Sequence, residues 1–215
     1  MPYATLISVP ELQALLASGQ PLMVFDCSFD LAQPEAGTQA YLASHIPGAV
    51  HAHLDRDLSL KQPAPGEQAA SGGRHPLSSR ERLAAWLSSI GFTNGMQAVV
   101  YDRNGCNYCG RLWWMLKWAG HDAVAVLDGG LQAWTSAGGA VLAGAEPART
   151  PANFTLQAPL RRLASAAEVL AALGQDGQTV LDARAAPRYR GEVEPLDPVA
   201  GHIPGALNRP FTENI

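Results

Sequence analysis

Apolar residues gather in short unbroken runs, separated by stretches whose apolar positions recur every three or four residues. The runs Pro21-Leu22-Met23-Val24-Phe25, Ala98-Val99-Val100-Tyr101 and Val124-Ala125-Val126-Leu127 have the length and continuity of strands buried on both faces. Each is followed at once by an aspartate, at Asp26, Asp102 and Asp128. Helices are predicted between them. Ser8 and Glu11 are spaced as a capping box ahead of Leu12, Leu15 and Leu16, and Gly19 closes that helix. Ser78 and Glu81 repeat the spacing ahead of Leu83, Trp86, Leu87 and Ile90, with Gly91 as the stop. Leu112, Trp113, Met115, Leu116 and Ala119 mark a third helix, and Leu131 to Ala137 a fourth. Residues 61 to 74, rich in Pro, Gly, Ala and Gln, read as a surface loop.

The plan then starts again. Residues 143 to 160 lose regular periodicity and contain Pro147, Pro151 and Pro159, so they read as a connection. Beyond them, Ser165 and Glu168 form another capping box before Val169, Leu170 and Leu173, and Gly174 ends the helix. A strand over Thr179-Val180-Leu181 runs into Asp182, as the first strand runs into Asp26. His202-Ile203-Pro204-Gly205-Ala206-Leu207 matches His45-Ile46-Pro47-Gly48-Ala49-Val50. In both, proline biases the isoleucine toward an extended shape and glycine permits a tight turn. Strands alternating with helices predict an α/β fold with a parallel sheet flanked by helices, in two repeated domains of which the second is incomplete. The expected divisions are 1–142, a linker at 143–160, and 161–215.

Composition narrows the function classes. Apolar residues make up 47% and charged residues 16%, which favours packed cores over disorder. A net charge of −4 gives no reason to expect nucleic acid or an anionic membrane as a partner. No run approaches the roughly 18 apolar residues of a membrane helix. The N-terminus lacks a signal-peptide pattern. Three cysteines, the last at Cys109, make a poor disulfide framework and fit a reducing, cytoplasmic setting.

These motifs carry a resemblance. The chain resembles the tandem rhodanese-type sulfurtransferases that use thiosulfate or 3-mercaptopyruvate. The matching residues are His45 to Ala49, Tyr101-Asp102, Arg111-Leu112-Trp113-Trp114, and Leu127-Asp128-Gly129-Gly130 with Trp134. They continue with Leu181-Asp182-Ala183-Arg184, Arg188-Tyr189-Arg190-Gly191 and Gly201 to Ala206. The resemblance implies a rhodanese-like fold and a cysteine persulfide. Sulfane sulfur would pass through that persulfide from a small anionic donor to a thiol or cyanide, with no cofactor and no metal. It also implies substrate-binding roles for Arg184 and Arg188, whose forked guanidinium groups suit a sulfonate or carboxylate. Arg190 is a weaker candidate. Salt bridges to Glu192 and Glu194 are the structural alternative for these arginines.

The nucleophilic cysteine does not occur where the family pattern needs it. No cysteine follows Cys109. The expectation is a chain that stops before the nucleophile, lying beyond Ile215, and a 215-residue form without turnover. Asp102 stands at the equivalent position of the first copy and marks that copy as non-catalytic. The alternative is a rhodanese-like binding or regulatory module with no nucleophile. His45 reads as a structural histidine. Trp113, Trp114, Trp118 and Trp134 read as core and interface residues. Cys106 and Cys109 read either as structural or as a Cys-x-x-Cys redox pair at a helix start. His51 and His53 are a weak argument for zinc. The spacing of Cys106 and Arg111 does not fit a cysteine phosphatase.

Overall fold

The computed structural model describes residues 2–214 and divides into two compact units, Met1–Arg162 and Leu163–Ile215. In the first unit, β1 (Leu6–Ile7), β2 (Leu22–Asp26), β3 (Val50–His51), β4 (Gln97–Tyr101) and β5 (Val124–Leu127) form one sheet. Its order is β1-β5-β4-β2-β3 and every pairing is parallel. Five helices connect and flank the strands: α1 (Val9–Ala17), α2 (Pro34–Ala43), α3 (Arg80–Ser89), α4 (Cys109–Trp118) and α5 (Gly130–Ser136). The central strands are buried along their length, as their continuous apolar runs require. Val24, Phe25, Val99, Val100 and Ala125 are at most 3% exposed. The α/β parallel-sheet architecture expected from the apolar runs is the one observed.

Local chemistry explains the element starts. The Ser8 N–H donates to the Glu11 carboxylate at 2.8 Å, and the Ser165 N–H to Glu168 at 2.7 Å. The start of α3 differs from expectation. Ser79 is the cap and accepts from the Arg82 N–H at 3.1 Å, while the Ser78 side chain is buried. Helix α2 was not legible in the sequence. Pro34 opens it, and the Asp30 carboxylate accepts from the N–H groups of Ala32 and Gln33 just before it. The loop over 61–74 is anchored at its flanks by Arg111, which donates to the carbonyls of Leu58 at 2.7 Å and His75 at 2.9 Å.

Residues 143–160 follow an extended path along the first unit. The Ala152 N–H donates to the Ser88 carbonyl, Gln157 to Ala119 and Leu160 to Lys117. Phe154 is buried against Phe92, with ring centroids 5.6 Å apart.

The second unit has α6 (Ala166–Ala171), β6 (Leu181–Asp182), α7 (Ala186–Tyr189), β7 (Leu207–Asn208) and a 3₁₀ turn at Phe211–Asn214. Strands β6 and β7 pair in parallel with Leu181 opposite Leu207 and Asp182 opposite Asn208. In the first unit Phe25 lies opposite Val50 and Asp26 opposite His51. The register of the repeat is therefore the same in both units. Among the described residues of the second unit only Ala206 is a buried apolar residue. Leu170, Leu181 and Leu207 are more than half exposed.

Candidate functional site

The C-terminal edge of a parallel sheet is where βα loops converge; Asp26 and Asp182 end β2 and β6 there, and the His-Ile-Pro-Gly-Ala segments lead into β3 and β7. In each unit the His-Ile-Pro-Gly-Ala segment makes the same turn. The Ala49 N–H donates to the Ile46 carbonyl at 2.9 Å and the Ala206 N–H to Ile203 at 3.0 Å. Proline at the second position and glycine with φ of 77° and 80° at the third are what a type II turn demands. Both histidines are held structurally. His45 Nδ1 lies 2.9 Å from the Tyr41 carbonyl and its ring stacks on Tyr41. His202 Nδ1 lies 2.7 Å from the Tyr189 carbonyl and stacks on Tyr189. Tyr41 and Tyr189 donate their hydroxyls to Ala49 and Ala206, the last residues of the two turns.

The aspartates that end β2 and β6 play matching roles. Asp26 accepts the Ser28 N–H at 2.8 Å and Asp182 accepts the Arg184 N–H at 2.9 Å. Each is clamped by an arginine that also reaches the carbonyl preceding the histidine. Arg103 donates to Asp26 at 3.0 Å and to Ser44 at 2.7 Å. Arg184 donates to Asp182 and to Gly201, both at 2.6 Å. The two arginines come from different places in the repeat, so the sequence motif alone does not pair them. Arg184 beside Asp182 holds that carboxyl below its ordinary range.

Arg184 and Arg188 are brought together by Glu194. Arg184 Nη1 is 3.4 Å from its carboxylate and Arg188 Nη2 is 2.7 Å from it. Burial opposes the charge on Glu194, but Arg188 and the N–H groups of Asp197 and Leu196 hold the carboxyl below its usual range. Arg188 also pairs with Asp197 at 2.9 Å. Arg190 is separate, exposed and paired with Glu192 at 2.7 Å. Two guanidinium groups thus share the Glu194 carboxylate next to the end of β6, while Arg184 also holds Asp182 and Arg188 also holds Asp197.

In the first unit, the residue after β4 is Asp102, which is fully buried. The loop that follows wraps around its carboxylate. Oδ1 accepts the N–H groups of Asn104 at 2.8 Å and Cys106 at 2.9 Å. Oδ2 accepts those of Tyr108 at 2.8 Å and Cys109 at 3.0 Å. Converging amides before a helix make an anion cradle, and here the anion is the protein's own carboxylate. Gly130 packs against the Asp102 backbone. Its φ is +56°, and a Cβ there would stand 2.4 Å from the Asp102 carbonyl oxygen.

Cys106 and Cys109 flank this cradle, and the three cysteines are free thiols. Among the described residues no group of three or more His, Cys, Asp or Glu side chains is arranged to hold a metal ion. His51 lies 3.3 Å from the Ser28 carbonyl, and His53 Nε2 lies 3.6 Å from Glu35.

Comparison with known proteins accords with this geometry. The rhodanese-like domain model matches residues 8–137. The "Probable 3-mercaptopyruvate sulfurtransferase" of Pseudomonas aeruginosa is 46% identical over 216 residues, spanning 100% of this chain and 74% of that protein. The thiosulfate sulfurtransferase of Bos taurus is 32% identical, over 97% of this chain and 70% of its own length. The crystal structure of the 3-mercaptopyruvate sulfurtransferase SseA from Escherichia coli superimposes with a TM-score of 0.80 at 27% identity, covering 99% of this chain and 77% of that one. The chain belongs to the rhodanese-type sulfurtransferases, in the family of the 3-mercaptopyruvate and thiosulfate enzymes.

Proposed function

We propose that the protein moves sulfane sulfur from thiosulfate or 3-mercaptopyruvate to a thiol or cyanide through a cysteine persulfide, with the cysteine in sequence following Ile215. Residues 1–142 are a non-catalytic copy of the domain, 143–160 its connection, and 161–215 the first part of the copy that carries the chemistry. The convergence of Arg184 and Arg188 on the Glu194 carboxylate carries this reading. Two guanidinium groups that converge on one shared carboxylate, beside their separate contacts to Asp182 and Asp197, suit the charge of an anionic sulfur donor. Donor binding would compete with Glu194 for them. The carboxylate of Asp102 supports a silent first copy, because it occupies the amide cradle with a group that cannot accept sulfur. Three free cysteines support a reducing, cytoplasmic setting. No helix among the described residues is long and apolar enough to cross a membrane.

The test is steady-state thiocyanate formation from each donor by a polypeptide extended beyond Ile215 through the following coding sequence. Arg184→Ala and Arg188→Ala should each raise the donor KM about tenfold or more, the loss of one charge-assisted contact. Arg190→Ala should change it far less. Unchanged KM in both variants would remove the proposed donor site. An extension without a cysteine after a strand would favour a non-catalytic binding module.

A further inference from the structure

The sulfur-transfer reading leaves the thiols at the start of α4 without a role, although their arrangement is specific. Cys106 and Cys109 sit in a Cys-Asn-Tyr-Cys segment, and Cys109 is the first residue of α4. Their accessibility differs: Cys109 is fully buried, whereas Cys106 is partly exposed. Cys106 has a φ of +61°, the single positive value at a non-glycine among the described residues. Such a conformation persists only where surrounding structure imposes it. Here Asp102 imposes it, since one carboxylate accepts both cysteine N–H groups, at 2.9 and 3.0 Å. The same clamp fixes the two residues side by side at the start of α4, and the Cys106 Sγ lies 3.9 Å from the Leu127 carbonyl oxygen. Donation from Cys109 holds the Cys106 thiol below its usual range, against burial and the charges of Asp102 and Asp128. Accepting that role, and being buried, pushes the Cys109 thiol up. Cys27 is also buried and close enough to Cys109 to influence it.

We propose that Cys106 and Cys109 form a dithiol–disulfide site, in which Cys106 reacts with a small-molecule disulfide and Cys109 resolves the product. In the first step the Cys106 thiolate attacks one sulfur of R–S–S–R. A Cys106–S–S–R bond forms and RS⁻ leaves. In the second, the Cys109 sulfur attacks the Cys106 sulfur, releasing the second RS⁻, and the Cys109 proton passes to a departing thiolate. The net change is oxidation of two protein thiols to one disulfide and reduction of R–S–S–R to two R–SH. An exposed attacking thiol and a buried resolving thiol, both pinned by one carboxylate, divide these tasks. The site lies in the first unit and needs no sulfur donor, so it stands or falls independently of the transferase reading.

The experiment treats the native 215-residue chain with oxidised glutathione, quenches with acid, blocks free thiols with N-ethylmaleimide and maps the peptides. The expected product is a Cys106–Cys109 disulfide reversed by dithiothreitol, with Cys27 still a thiol. Cys109→Ser should instead accumulate a glutathione mixed disulfide on Cys106. Cys106→Ser should slow oxidation at least about tenfold, because the accessible thiolate is gone. The parent chain provides the reading even where a variant fails to fold. A parent that stops at the Cys106 mixed disulfide, bridges to Cys27, or does not react while native would overturn the proposal.

Discussion

Removing the carboxylate of Asp102 should cost more than any surface change in the molecule. Asp102→Ala leaves four amides of the following loop without their acceptor. A loss of about 3 kcal/mol or more in urea unfolding is expected from the cost of unmet buried donors. Asp102→Asn keeps one acceptor oxygen and should lose less. Equal stability of Asp102→Ala and the parent would show that the loop finds other partners. Gly130→Ala forces a Cβ toward the Asp102 carbonyl at positive φ, and should destabilise by about 1–3 kcal/mol. At this scale the sequence marked the positions but not the partners. Asp26, Asp102 and Asp182 stood out because each ends an apolar run. That Arg103 in one unit does the work of Arg184 in the other depends on contacts across 59 and 77 positions, which no local pattern encodes. Ser78 and Ser79 fit a cap equally well by type, and packing that buries Ser78 decided between them.

Strands and helices were legible in proportion to their length and apolar regularity. Strand β5 falls where its four-residue run predicts, and β2 and β4 lie within a residue of theirs. The two-residue strand β1 and the four-residue helix α7 give too short a signal. Helix α2 was obscured because only Gly37 and Tyr41 are buried along it, and that is too sparse for a periodic stripe. Element stability should differ as strongly as element burial. Strands β6 and β7 form a two-stranded sheet with exposed Leu181 and Leu207, an arrangement marginal on its own. Amide hydrogen exchange over 181–208 should therefore be much faster than over β2 and β4. Comparable protection in both would contradict the burial argument. The Asp182–Arg184 clamp adds a pH dependence. The folded Asp182 carboxyl titrates below its ordinary value because of Arg184. Its contribution is present above the ordinary aspartate range and is lost as pH falls through the folded value. The protection of β6 and β7 relative to the intrinsic exchange rate at each pH should fall on acidification, and Arg184→Ala should flatten that dependence.

For the whole molecule, the repeat and the family could be read from motifs in order, because tight turns and buried carboxylates tolerate few residue types. The connection read at 143–160 also packs. Phe154 is buried, so Phe154→Ala should lower the stability of the first unit by about 3 kcal/mol in urea unfolding. An unchanged midpoint would mean that this segment does not support the unit. The central claim is that sulfur transfer needs a cysteine that these 215 residues do not supply at the expected place. The measurement that tests it most directly is thiocyanate formation from cyanide by the 215-residue chain, with thiosulfate and 3-mercaptopyruvate assayed separately. The account predicts no turnover with either donor. Clear turnover that disappears in Cys106→Ser or Cys109→Ser would contradict it and move the sulfur-carrying site to the loop around Asp102.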